Sequence, residues 1–382
     1  MKFIHTSDWH IGRQLHHQSL LEDQAFVLKQ IVSLAKEHKV DAVIIAGDIY
    51  DRSVPPANAV AMLNDVLVEL IQEAKVQVLM IAGNHDSHER LGFAASQMSS
   101  SGLHIIGPLT EKVSRIQLTG KNGDAVFYSI PYAEPSRVRH LLDVDVSTHE
   151  EAMKVLLEQV TTDDSKGLRK VVVSHCFLDG GSESESERPL SIGGADRINP
   201  EVFKAFDYVA LGHLHGPQFK GAEYIRYSGS PLKYSFSEIN QNKSVTLVEL
   251  SKGNKPASIQ LLPLSALRDV RVISGFLADI VDEGKVDPNK GDYLMVRLQD
   301  KHAILDAMGK LRNVYPNVLH LERTGLMTES TNIEIRKDHI KQNEMDMFSS
   351  FFSQTTGDEL VHSQQEFMKQ LLNGLHRAEE DQ

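Results

Sequence analysis

The chain has 382 residues, 41% of them hydrophobic and 24% charged, which suits a water-soluble globular fold of one large and one smaller domain. Its formal net charge of −12 argues against a protein that grips nucleic acid unaided, because phosphate contacts call for a basic surface. A lone Cys176 excludes an internal disulfide framework and suits a reducing cytoplasm, no run approaches the ~18 apolar residues of a membrane span, and the N-terminus turns polar too early for a secretory signal.

Along the chain, the first third alternates short β runs with amphipathic helices. Lys2–Thr6 is predicted as a strand, Leu20–His38 as a helix with apolar residues near 3.6 spacing, and Asp41–Ala46 as a buried strand. Asn58–Ala74 reads as helix and Val76–Ala82 as strand. From Val113 the texture turns to β. Ser114–Thr119 and Ala125–Ile130 flank Lys121-Asn122-Gly123-Asp124, whose Asn-Gly pair is a strong hairpin signal. Helices are expected over Pro135–Leu142 and Thr148–Thr161. Strands follow over Lys170–Ser174, Tyr208–Leu211, Tyr224–Ser228, Ser244–Leu250 and Ala257–Leu262. Gly180–Pro189, GGSESESERP, is low in complexity and reads as a mobile loop.

This mixture predicts an α/β fold of two packed mixed β-sheets flanked by helices over residues 1–265. Beyond Leu264 no catalytic constellation is visible. Arg271–Ile273, Asp292–Leu298 and Asn317–Leu321 read as strands and Ala303–Tyr315 as a helix, a small α+β unit over residues 266–340. The 341–382 stretch lacks a strand pattern and reads as a helical tail. It carries Met345, Met347, Phe348, Phe351 and Phe352, then an amphipathic run, Phe367–Leu375.

The chemistry gathers where strands end. The first strand runs into Asp8-Trp9-His10, the second into Gly47-Asp48-Ile49-Tyr50-Asp51, and the third into Gly83-Asn84-His85-Asp86. Val171–Val173 ends at Ser174-His175, and Val209–Leu211 at Gly212-His213-Leu214-His215. Open α/β sheets build their sites at the carboxyl ends of strands, so these five clusters predict one convergent site. Asp-x-His and His-x-His put two ligands on one side of an extended segment. Glycines 47, 83 and 212 are expected to let the backbone turn where a ligand is presented. Carboxylate, imidazole and amide oxygen without thiolate suit Mn²⁺, Fe²⁺ or Zn²⁺, and one shared aspartate would build a two-metal hydrolytic centre. Any one motif alone is an ordinary polar turn; all five, in this order after apolar strands, are not. His5, inside the first strand, reads as a satisfied core histidine, and Cys176 as a small buried residue.

The series Asp8-x-His10, Gly47-Asp48-x-x-Asp51, Gly83-Asn84-His85-Asp86, His175 and Gly212-His213-x-His215 resembles the calcineurin-like metallophosphoesterase signature. The segments His5–Gly12, Ala46–Asp51 with Pro55-Pro56, and Arg226–Pro231 are similar, more finely, to the bacterial SbcD family of nuclease subunits. The likeness is strong over residues 1–265 and is one of layout beyond. It implies two divalent ions, Mn²⁺ by preference, the first held by Asp8, His10, Asp48 and His215, the second by Asp48, Asn84, His175 and His213. It leaves His85 as the proton donor or the group orienting the scissile phosphate, with Asp51 pairing to it and fixing its tautomer. It also implies DNA ends and hairpins as substrates and homodimers within a heterotetramer. The expected partner is the SMC-like ATPase SbcC, docked on the tail, with a cytoplasmic, chromosome-associated setting. The chain has no Gly-x-x-x-x-Gly-Lys-Ser/Thr loop of its own, so ATP would be the partner's task. His16, His17 and Arg52 sit in loops beside these motifs, as DNA contacts or as solvated loop residues. A phosphoprotein phosphatase, a cyclic-nucleotide or other small phosphodiesterase, and a scaffold with a structural metal site stay open as rivals. Asp86 stands where the phosphoprotein phosphatases typically carry Glu.

Overall fold

The computed structural model describes residues 1–324 except 162, 164, 166, 191–195, 254 and 303, and beyond them 345, 348, 349, 352, 353, 356 and 358–380. Its contacts divide it into two units, Met1–Val270 and Arg271–Gln382. Among the described residues no helix is long and apolar enough to cross a membrane.

The first unit is built on two six-stranded sheets. In the first, Lys2–Thr6, Ala42–Ile45, Gln77–Ile81 and Leu103–Ile106 run parallel, and Ser244–Glu249 and Ser258–Pro263 extend the sheet antiparallel beyond Lys2–Thr6. In the second, Ala222–Tyr227, Tyr208–Gly212, Arg169–His175 and Ala125–Ile130 run parallel, with Gln218–Lys220 and Ser114–Leu118 antiparallel at the two edges. Alternate residues of both sheets meet in one core: Phe3, Ile44, Leu79 and Ile81 from the first, Phe127, Val171, Val173 and Tyr208 from the second. Phe3 sets its ring edge-on to Phe127 at 5.5 Å and to Tyr208 at 5.6 Å, tying the layers together. Each such buried side chain contributes about 1.5–3 kcal/mol.

Helices cover the outer faces. Leu21–Glu37 buries Val27, Leu28, Ile31, Val32 and Ala35, a stripe at three- and four-residue spacing. Pro135–Leu142 and His149–Thr161 cover the second sheet through Val138, Leu156, Leu157 and Val160. The expected pair of packed mixed sheets flanked by helices is therefore present.

Three local expectations need correction. Leu103–Ile106, too short and too mixed to stand out, adds a fourth parallel strand to the first sheet. The predicted Asn58–Ala74 helix is regular over Ala57–Val68 only and widens into a π turn over Glu69–Glu73. Gly180–Pro189, expected to be mobile, folds onto the body and buries Ser186 to 8% exposure. Its polar residues find buried partners, so low complexity here hides a set of hydrogen bonds rather than a lack of them.

The second unit carries a sheet of Val270–Gly275, Tyr293–Leu298 and Val318–Arg323 with the middle strand parallel to the last. Leu277–Gly284, a helix that the sequence did not announce, packs Ile280 with Leu311, Tyr315 and Val296. The Ala303–Tyr315 prediction shortens to Ala307–Arg312, capped by the Asp306 carboxylate, which accepts the Gly309 N–H. Phe348 and Phe352 are helical neighbours with rings 6.3 Å apart, and His362–Glu380 forms the last helix. Met347 and Phe351 lie outside the described residues.

Candidate metal centre

The carboxyl ends of the parallel strands bring their clusters together. Asp8, His10 and His215 present ligand atoms within 4.8 Å of one another, and so do Asp8, Asp48 and His175. One oxygen, Asp48 Oδ2, lies 3.5 Å from His10 Nε2 and 3.5 Å from His175 Nε2, between the two groups. Asn84 Oδ1 stands 2.9 Å from His175 Nε2. The His213 ring packs 5.5 Å from that of His175, while its main-chain N–H donates to both Asp8 oxygens.

Bringing the ends this close has a backbone cost. Asp8, His10, Asp48 and His213 all have φ between 44° and 112°, a region unfavourable to L-residues by about 1–2 kcal/mol each. The sheets lock these residues in place: Asp8 N–H donates to Gly47 O at 3.0 Å and His10 N–H to Asp48 O at 2.9 Å. The glycines serve closeness more than turning. A Cβ on Gly83 would stand 2.2 Å from Asp48 Oδ1, and one on Gly212 would stand 1.9 Å from Ala46 O. Of the three, only Gly47 has a positive φ.

The donor set fits divalent cations. His175 Nδ1 is 2.9 Å from Ala46 O, which only an Nδ1–H can satisfy, so its Nε2 keeps a lone pair facing the Asn84 oxygen. Two acceptors at that distance repel unless a cation joins them. His10 Nε2 and His215 Nε2 face each other likewise at 3.1 Å, and His10 Nδ1 is buried without a hydrogen-bond partner. Burial, reinforced by Asp48, pushes the Asp8 carboxyl well above the usual range. Burial also holds His10 and His213 well below the usual imidazole range, with His215 adding to it at His10 and His175 at His213. These are neutral nitrogens and crowded carboxyls, groups that a bound cation stabilises as ligands.

His85 borders this cluster without joining a strand end's ligand pair. Its N–H donates to Asp48 Oδ1 at 2.9 Å, its Nδ1 donates to Asp51 O at 2.9 Å, and its ring lies 4.7 Å from His10. The Asp51–His85 pair thus runs through the Asp51 main-chain carbonyl. The Asp51 carboxylate is taken by Arg13 at 3.1 Å, with His10 Nδ1 and Arg52 each at 3.7 Å. Divalent-metal chemistry next to a histidine of fixed tautomer is what hydrolysis of a phosphate ester requires.

His85 opens on a cleft of about 520 Å³ lined by Arg13, Arg52, Asn84 and Arg188, among others. Arg52 is 65% exposed and belongs to it. His17 is exposed at φ 68° and does not line it, and His16 packs its ring 5.4 Å from Phe236. His5 is satisfied in the core by Tyr208 Oη at 3.0 Å and Leu211 O at 3.2 Å, and burial pushes its pKa down to about 3. Cys176 is buried and its thiol is pushed up to about 12 by desolvation.

Several residues of the site carry little or no signal in the sequence. Asp86 accepts the N–H groups of Ile49, Tyr50 and Gly83, stapling the second and third motifs together, and burial followed by Asp48 pushes its pKa up to about 7. Its place in Gly-Asn-His-Asp is the only hint of that role. Arg13 and Arg188 line the cleft, and Ser186, Glu187 and Glu238 hold His215 from behind. No local pattern marks these.

A family model described as calcineurin-like phosphoesterase matches residues 1–217. The chain belongs to that family. A second model, described as type 5 capsule protein repressor C-terminal domain, matches residues 266–356. The SbcD subunit of the nuclease SbcCD of Staphylococcus epidermidis is 34% identical over 98% of this chain and 98% of its own length, so the chain falls within the SbcD branch of metal-dependent phosphoesterases. Two solved structures are more distant. One is a protein of Thermus thermophilus, at 16% identity and a TM-score of 0.38 over 68% of this chain and 98% of that one. The other is a dimetal phosphatase from Danio rerio, at 14% identity and a TM-score of 0.38 over 68% and 98%.

Proposed function

We propose that the chain is the nuclease subunit of an SbcCD-type complex, hydrolysing DNA phosphodiester bonds as a 3′–5′ exonuclease on double-stranded ends and an endonuclease on single strands and hairpins. The observation that carries this is the cleft: an open rim that presents Arg52 and Arg188 and leads to His85 beside the candidate metal centre, with Arg13 held behind it against Asp51. An open mouth suits a polymer, and two guanidinium groups suit neighbouring phosphates. The relative, a nuclease subunit by name, supports a nucleic-acid substrate.

Asp8, His10, Asp48 and His215 would hold one ion, and Asp48, Asn84, His175 and His213 the other; the donors suit Mn²⁺, Fe²⁺ or Zn²⁺, and the likeness to SbcD favours Mn²⁺. When bound, the ions supply a water of lowered pKa and neutralise charge on the phosphate. His85, with Nδ1–H committed to Asp51 O, presents Nε2 to the leaving oxygen. As imidazolium it gives that oxygen a proton while the phosphorus–oxygen bond breaks, and regains one from solvent. Arg52 and Arg188 hold the flanking phosphate oxygens.

The net charge of −12 is consistent with a partner that supplies most of the grip on DNA. We assign that role to SbcC, with residues 266–340 as a capping domain and 341–382 docking on SbcC as helical elements laid into an apolar groove, in a cytoplasmic, chromosome-associated heterotetramer built on a homodimer. SbcC binding undiminished by deletion of 341–382 would remove the tail from this scheme. The activity is tested by Mn²⁺-dependent cleavage of a DNA hairpin and of a small phosphodiester in parallel, with and without SbcC. DNA cut far better than the small ester supports the nuclease. Hydrolysis of the ester with DNA untouched, even beside SbcC, hands the site to a small-molecule phosphodiesterase.

A further inference from the structure

His215 is held differently from the other histidines of the centre. Its Nδ1 lies 2.6 Å from Ser186 Oγ and 3.4 Å from Glu238 Oε1, and Ser186 Oγ is in turn hydrogen-bonded to that same Glu238 oxygen. Glu238 is fully buried, and Lys243 reaches its other oxygen at 2.6 Å. Lys243 also donates to His215 O at 2.9 Å and to Ser230 Oγ at 2.8 Å. At 2.6 Å the Lys243 ammonium and the buried Glu238 carboxylate form an ion pair.

Proton counting fixes the direction of the chain. An ionised carboxylate only accepts, and a serine hydroxyl has one proton. Ser186 must therefore donate to Glu238 and accept from His215 Nδ1–H. In a neutral ring that assignment leaves the lone pair on His215 Nε2, facing His10 Nε2 and the Asp8 carboxylate. Glu187, the next residue, accepts the His215 main-chain N–H at 2.7 Å, so one short segment holds both the ring and the backbone.

We propose that Ser186, clamped by the buried Glu238–Lys243 pair, is a positioning residue that sets the tautomer and ring angle of His215 for metal binding. The segment GGSESESERP is thereby part of the metal centre, and it carries Arg188 to the cleft two residues further on. This rests on the two-ion reading of the site. Outer partners of metal-ligating histidines typically matter about 10–100-fold in metal affinity.

The test is calorimetric titration of Mn²⁺ into the full-length chain, as wild type, Ser186→Ala and Ser186→Thr, with thermal unfolding of each metal-free protein alongside. Ser186→Ala should weaken one of two binding steps by about 10–100-fold, leave the other step in place and leave the melting temperature near that of the wild type. Ser186→Thr, which keeps the hydroxyl, should restore the weakened step. Unaltered titration by Ser186→Ala would overturn the proposal, as would equal loss at both steps together with a collapsed melting temperature. A wild type that takes up no Mn²⁺ would overturn the two-ion reading itself, an outcome distinct from a failure of Ser186 alone.

Discussion

The ends of the two sheets position their site residues by different means. In the first sheet most of the work is main-chain: Asp8 and His10 donate their N–H groups to Gly47 O and Asp48 O, and one side chain, the Asp86 carboxylate, gathers three N–H groups from the adjoining turns. In the second, His175 leans on the Ala46 carbonyl of the first sheet, whereas His215 depends on side chains 29 and 23 residues away. A main-chain partner persists through almost any substitution, but a side-chain partner can be lost to one. The first sheet should therefore fail mainly when a ligand, a glycine or Asp86 is changed, and the second should fail also through side chains such as Ser186 that touch no ion.

Asp48→Ala strikes the point shared by both sheets and should have the largest effect. Turnover should fall on the order of 10⁴-fold or more, because two electrostatic contributions go together. Metal analysis should find both ions lost. Retention of one would show that Asp48 serves a single site. His85→Gln should reduce turnover by about 10³-fold with the metal content intact; parallel loss of metal would make His85 a ligand. Arg188→Ala should raise KM for DNA by about tenfold with kcat nearly unchanged, the signature of a lost phosphate contact. An unchanged KM would return Arg188 to the solvated surface.

A separate effect, on stability alone, concerns the polar tie between the sheets. Burial holds the folded His5 pKa down to about 3 against an ordinary value of 6.5, so it stays neutral in the fold well below neutral pH. Its contribution is complete above about pH 6.5 and is lost as pH falls from there toward 3, because the unfolded chain takes up a proton that the folded one refuses. Between pH 7 and 5 this costs about 2 kcal/mol. Urea unfolding of His5→Gln should show that much less acid sensitivity than the wild type. An equal acid loss in both would assign it elsewhere, the buried imidazoles of His10 and His213, also held well below the usual range, being the next groups to examine.

This contrast explains what the sequence disclosed. Asp8-x-His10, Gly-Asp, Gly-Asn-His-Asp and His-x-His are legible because ligand and strand are neighbours, and a two-residue spacing survives without knowledge of the fold. The two packed sheets follow from the same strand runs, while Leu103–Ile106 stayed hidden because an edge strand of four residues has little pattern to show. Asp51 was expected to orient His85 by its carboxylate, but the carboxylate is claimed by Arg13, a long-range partner that no motif predicts. Ser186 lay in a stretch whose composition suggested looseness. Composition reports the lack of apolar residues, and it does not report buried polar partners such as Glu238 and Lys243.

The most direct test of the central claim is a crystal of the wild type soaked in Mn²⁺ and measured for anomalous scattering. Two peaks are predicted, one within coordinating reach of Asp8, His10 and His215, the other of Asn84, His175 and His213, with Asp48 touching both. A single peak, or a second one away from these side chains, would contradict the two-metal account.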